Sequence, residues 1–146
     1  MVLKGQILLA YVAGIVDGEG TIGLHKNYEY KGRPFYGLRV SVGNTNEWLI
    51  SFLKMQFGGY VFKETHSNPL HKDCWKWELH AKKSYVFLKA ILPYLQIKRP
   101  QAELAIRFQN RRQRYKIRNE QAWFLDEEDK VLMASYNKRG KQEAGE

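Results

Sequence analysis

From Ile7 to Val16 the chain runs through ten residues, ILLAYVAGIV, that are all apolar or small, and then meets two acids, Asp17 and Glu19, each followed by glycine. No other stretch limits the fold so strongly. A helix over about residues 6–17 has no polar face to give to water, so it must be buried on all sides. The run is half of the roughly 20 residues a membrane span needs. It also closes on Asp-Gly-Glu-Gly rather than on a small-residue cleavage site, so it is expected to be neither a span nor a signal peptide. Carboxylates near a helix C-terminus face the negative end of the helix dipole, at a cost of ~0.3–1 kcal/mol. That pairing suggests a positive ligand, and a divalent metal held by oxygen donors is the natural one. Asp17 is expected to accept hydrogen bonds from nearby backbone groups. Glu19, between two glycines and just past the helix, is the candidate ligand.

Charge supplies the second constraint. The 146 residues carry 24 Lys and Arg against 15 Asp and Glu, a net +9, and the pI is near 9.6. A surplus of this size favours a polyanionic partner, nucleic acid before an anionic membrane. With 44% hydrophobic and 14% aromatic residues the chain is not disordered, and its length suits about one domain. Cys74 is the single cysteine, which excludes an internal disulfide and suits a reducing interior. The expectation is a soluble intracellular protein, of the cytoplasm or, in a eukaryotic host, of an organelle.

Patterning then gives the architecture. Residues 21–30 alternate, with Ile22 and Leu24 on one face and Thr21, His25, Asn27 and Glu29 on the other. After a turn at Lys31-Gly32-Arg33-Pro34, residues 35–43 place Leu38, Val40 and Val42 opposite Arg39, Ser41 and Gly43. Asn44 or Thr45 can cap a following helix that Gly58-Gly59 stops. A second hairpin pairs 60–65 with 74–80, where Trp75, Trp77 and Leu79 oppose Cys74, Lys76, Glu78 and His80. The faces of 60–65 stay unassigned, because Tyr60, Val61 and Phe62 are consecutive. The chain between them holds His66 and His71, which are expected to belong to a loop. Helices are expected at 83–94, from Pro100 through Phe108, and at 120–136, with a basic run over 107–118 between the last two. The fold class is α+β: αββαββα with a four-stranded antiparallel sheet and helices on one face. Residues 1–136 form one domain and 137–146 a frayed tail. Trp48, Trp75 and Trp77 are expected in the core.

The other face of the sheet is polar and basic-leaning. Strands of 9–10 residues are roughly 30 Å long, close to one ~34 Å turn of duplex DNA. Any one-sided sheet shows water a polar face. Three strands sharing the pattern in a basic chain point to nucleic acid.

VAGIVDGEG at 12–20 resembles the motif of the LAGLIDADG homing endonucleases. Val12 stands for the first Leu, and Ala13, Gly14, Asp17 and Gly20 match. Gly18 replaces Ala, and Glu19 stands in the second acidic place. The resemblance extends over about residues 7–110, through the strand order, Asn44-Thr45, Gly58-Gly59 and PYLQIKRPQAE at 93–103, which resembles the stretch bearing the family's central lysine, here Lys98. It implies a sequence-specific, intron-encoded endonuclease that cuts both DNA strands by Mg²⁺-dependent hydrolysis, with Mn²⁺ able to substitute. One motif per chain implies a homodimer on a partly palindromic duplex site, its motif helices packed through Ala10, Ala13 and Gly14, with Asp17 at the same contact. Glu19 and the Gly18 carbonyl would bind metal, Lys98 would act at the scissile phosphate, and Asn44 would order water. The basic face assigns Arg39 and Lys76 to base edges, with Asn27, Ser41, Arg33 and His25 beside them. Arg111, Arg112 and Arg114 are assigned to phosphates. The alternatives are an intron maturase on structured RNA and a DNA-binding regulator without chemistry. Intact Glu19 and Lys98 weigh against pure binding.

Overall fold

The computed structural model describes residues 3–65, 67–70, 72–114 and 119–138. Its elements run α1 (Gly5–Glu19), β1 (Gly20–Tyr30), β2 (Arg33–Asn44), α2 (Glu47–Phe57), β3 (Tyr60–Glu64), β4 (Cys74–His80), α3 (Ala81–Ile91), a 3-10 turn (Leu92–Tyr94), α4 (Arg99–Arg114) and α5 (Glu120–Tyr136). The class is α+β, with the strands in the antiparallel order β1-β2-β4-β3. No helix among the described residues is long and apolar enough to cross a membrane.

Alternation sets the sheet. Ile22 pairs with Val40 and Leu24 with Leu38 across the first hairpin, and Val42 pairs with Trp77 and Val40 with Leu79 across the centre. All of these are buried together with Val12, Ala13 and Val16 of α1, Ile50 and Leu53 of α2, Phe87 and Leu88 of α3, and Phe108 of α4. Val61 opposite Trp77 joins this face, so Tyr60, Phe62 and Glu64 lie on the other. The first hairpin closes through Lys31 and Gly32, both at positive φ (53° and 76°), the geometry that two-residue turns require to match strand twist.

Several boundaries differ from the pattern. Asn46 caps α2, its side chain accepting from the Leu49 amide at 3.3 Å. Asn44 instead accepts from the Asn46 amide at 2.8 Å, a turn one step upstream. A register shift between Lys26 and Tyr28 inserts Asn27 as a bulge, so Tyr28 pairs with Phe35 and Glu29 with Pro34. Beyond the bulge the open face therefore carries Tyr28, its ring stacked on Phe35 at 4.9 Å, and Glu29 turns to the other side. Trp77 and Trp75 pack in or against the core, but Trp48 is 65% exposed and stacks on Phe52.

The sheet's outermost strand does not lie bare. Lys130 and Asn137, from α5 and its end, donate to the carbonyls of Leu24 and Ile22, each at 2.8 Å. A helix laid along β1 in this way removes an edge that could pair with another chain.

Candidate nucleic-acid interface and catalytic corner

Asp17 and Lys98 tie α1 to α4 reciprocally. The Asp17 carboxylate accepts from the amides of Gln96 (2.9 Å), Ile97 (3.1 Å) and Lys98 (2.9 Å), just ahead of α4. In return Lys98 Nζ donates to the carbonyls of Val16 (3.1 Å) and Asp17 (2.8 Å) in the last turn of α1. Each charge thus meets the helix end of opposite sign. The first acid of the motif, expected at the helix–helix contact, thus has partners within its own chain. Half-buried, it holds the three amides that lead into α4, and its cost at the end of α1 is offset there.

Glu19 is different. It is exposed and makes no hydrogen bond or ion pair among the described residues. Gly18 precedes it in the last helical turn, where carbonyls lack intrahelical partners. The ladder begins at Gly20 opposite Val42, and Asn44, two residues beyond Val42, pairs with Trp75 of β4. Lys98 Nζ thus lies on the last turn of α1, two residues before Glu19, and Asn44 closes the strand that pairs with the start of β1.

A hard divalent cation needs several oxygens. Among the described residues no group of three or more His, Cys, Asp or Glu side chains gathers. One chain offers the Glu19 carboxylate and the Gly18 carbonyl, which is the right donor chemistry but an incomplete set.

Along α1 the small residues divide. Ala13 is fully buried in the chain's own core, which removes it from the expected helix–helix contact. Ala10, Gly14 and Gly18 are exposed, beside Ile7 at 68% and Tyr11. A Cβ added at Gly14 or Gly18 would meet nothing within 4 Å.

The open face of the sheet carries Thr21, His25, Arg39, Ser41, Lys76, Glu78 and His80, with Tyr60 and Phe62 at the β3 edge. His25, Asn27, Arg39, His80 and Arg112 line one concavity of ≈ 240 Å³. The Asn27 amide lies across Gly37, where any Cβ would collide with it. Burial, then the charges of Arg39 and Lys130, push His25 down to about 4, so it is neutral at pH 7.

Not every expected cation reaches this face. Arg33 pairs with Glu120 at 2.7 Å and lies over the Trp123 ring, which anchors the hairpin tip to α5. Arg111 donates to Asp126 at 2.7 Å and Asp129 at 2.8 Å, its side chain only 13% exposed. It is a tie between α4 and α5 and is not presented to a ligand. Arg112, above the Phe108 ring, does reach the concavity. The Arg114 side chain, Lys116, Arg118, His66 and His71 lie outside the described residues. Glu64 and Glu78 were not singled out from the sequence, although the alternation of Glu78 with Lys76 along one strand was visible. Tyr28 had no such signal, since only the bulge turns it to this face.

No family model matches the sequence, and no curated protein matches it closely. Solved structures do match the fold. The homing endonuclease I-CvuI, in complex with its target in 2 mM Ca, is 18% identical with a TM-score of 0.72, over 94% of this chain and 85% of that one. The archaeal intron-encoded homing endonuclease I-Vdi141I, complexed with DNA, is 13% identical with a TM-score of 0.76, over 93% and 87%. The LAGLIDADG homing endonuclease I-SmaMI, bound to cleaved DNA, is 20% identical with a TM-score of 0.63, over 97% of this chain but 47% of that one. The fold is the one these enzymes share.

Proposed function

We propose, from the premise that the chain carries the LAGLIDADG fold, that it is a homodimeric, Mg²⁺-dependent endonuclease that cuts both strands of a specific, partly palindromic duplex DNA site. The observation that carries this reading is the corner at the end of α1. There Glu19, without a hydrogen bond or ion pair among the described residues, follows the two carbonyls that fix Lys98, at the border of a polar sheet face.

Dimerisation completes the corner. This chain spans nearly all of I-CvuI but about half of I-SmaMI, so a second copy would supply the other half of such a molecule. The exposed Ile7, Ala10, Tyr11, Gly14 and Gly18 give α1 a surface that a two-fold partner helix can approach closely. Tyr11 leads through Phe52 to the exposed Trp48, which widens the apolar border. This contact answers the demand of a helix apolar on every side.

Glu19, Glu19 of the partner subunit and the Gly18 carbonyls would hold the cation. When bound, it supplies an activated water and neutralises charge on the reacting phosphate. Lys98 holds its ammonium beside that phosphate and stabilises the negative charge that develops there. Asn44 orients water through its amide. Arg39, Lys76, Ser41 and Asn27 meet base edges, neutral His25 can both donate and accept, and Arg112 meets a phosphate. Arg33 and Arg111 hold the scaffold.

The test is incubation of purified protein with supercoiled and linear duplex DNA in Mg²⁺, Mn²⁺, Ca²⁺ or chelator. Discrete double-strand products in Mg²⁺ and Mn²⁺, none with chelator, support the reading. Sequence-specific binding without cleavage in any metal would reduce the protein to a regulator.

A further inference from the structure

An acid occupies the middle of the face assigned to a polyanion. Glu78 lies opposite Ser41 on one side and Tyr60 on the other. Its two oxygens are divided: Oε2 accepts from Arg39 Nη1 at 3.4 Å, and Oε1 meets His80 Nε2 at 3.1 Å. The Glu78 side chain is 12% exposed against 33% for Arg39, so the carboxylate is the more buried member of the pair. His25, kept neutral by burial and by Arg39, brings no positive charge to it at pH 7.

We infer that Glu78 is a specificity-determining residue that orients Arg39 for a guanine edge and penalises duplexes without one. The inference rests on the reading of this face as the DNA-contacting one. A guanidinium has five donors in a fixed fork, and the contact with Glu78 uses Nη1. Pinned there, Arg39 is pre-organised, and its remaining donors can engage the two major-groove acceptors of guanine. Opposite any other pair that bidentate contact fails, and nothing gained at the base edge offsets the cost of bringing the Glu78 carboxylate to the duplex. Such a repulsive element gives specificity at the expense of general affinity. Glu64 is a control of equal charge: it pairs with Lys76 at 3.2 Å, away from Arg39.

The experiment measures equilibrium binding of the full chain in Ca²⁺ to its selected duplex, to every single-base variant of it, and to random duplex of equal length. The parent is compared with Arg39→Ala, Glu78→Gln, Glu78→Asp and Glu64→Gln. Arg39→Ala should erase preference at one position per half-site, a loss of roughly 5–150-fold. Glu78→Gln should lose at least about threefold of that same preference and bind random duplex more tightly. Glu78→Asp, which keeps the charge but draws it back from Arg39, should lose the preference without the gain on random DNA. Glu64→Gln should tighten random binding and leave that position unchanged. If both Glu78 variants discriminate there like the parent, the inference is overturned while the DNA reading stands. A parent with no sequence preference would overturn both.

Discussion

Asp17 uses both carboxylate oxygens on the amides of Gln96, Ile97 and Lys98, while Glu19, two residues on, has no such partner among the described residues. That difference separates a scaffold acid from a candidate ligand. Lys98 stands between the roles, since its ammonium caps α1 and yet lies beside Glu19's turn. Lys98→Met keeps the stem and removes the charge. If the ammonium stabilises the transition state more than the ground state, single-turnover cleavage at saturating enzyme falls roughly 10²–10³-fold with little loss of binding in Ca²⁺. A saturated rate equal to the parent's, with weakened binding, would make Lys98 a phosphate anchor instead. His25 gives a second residue-scale outcome. Its folded pKa is pushed down to about 4, whereas an unfolded histidine takes its proton near 6.5. Between these values the unfolded state binds more protons, so stability is complete above about pH 6.5 and declines as pH falls toward 4. From pH 7 to pH 5 the parent should therefore lose more thermal stability than His25→Gln. Parallel melting profiles would contradict the shift.

At the scale of elements, the two last helices are joined by charge inside the fold. Asp126 and Asp129 are buried, and Arg111 bridges them. Burial alone would push the Arg111 guanidinium down, but its hydrogen bonds to Asp126 and Asp129 hold it above its ordinary value. Arg111→Met would leave two buried carboxylates without this partner, at a cost of about 3–5 kcal/mol in urea unfolding. An Arg111→Met midpoint within error of the parent's would remove the triad from the stability account. The basic run hid this role, because sequence shows the sign of Arg111 but not the acids that reach it from 15 and 18 residues away. Strands and helix order were legible for the opposite reason. Ile22, Leu24, Leu38, Val40 and Val42 repeat at a period of two, and one buried face is enough to fix a register. The bulge at Asn27 was not legible, since nothing in HKNYEY distinguishes an inserted residue from a paired one. Glu19 stood out by its place just past the helix, Lys98 only through the resemblance. The place of Lys98 at the end of α1 depends on Asp17 clasping a segment about 80 residues away.

At the scale of the whole molecule, the proposed two-fold partner would both cover the exposed side of α1 and complete the donor set at Glu19. The protein should be a dimer by light scattering, alone and on DNA. With each half-site near one helical turn, the target should be partly palindromic and on the order of 20 bp. A monomer in both conditions would contradict the shared site. The most direct measurement incubates the purified protein in Mg²⁺ with a randomised duplex library and sequences the cleaved ends. A metal-dependent dimeric endonuclease predicts one partly palindromic consensus cut on both strands, and none from Glu19→Gln even though that variant still binds the consensus in Ca²⁺. No enriched cut site from the parent, or equal cutting by Glu19→Gln, would contradict it.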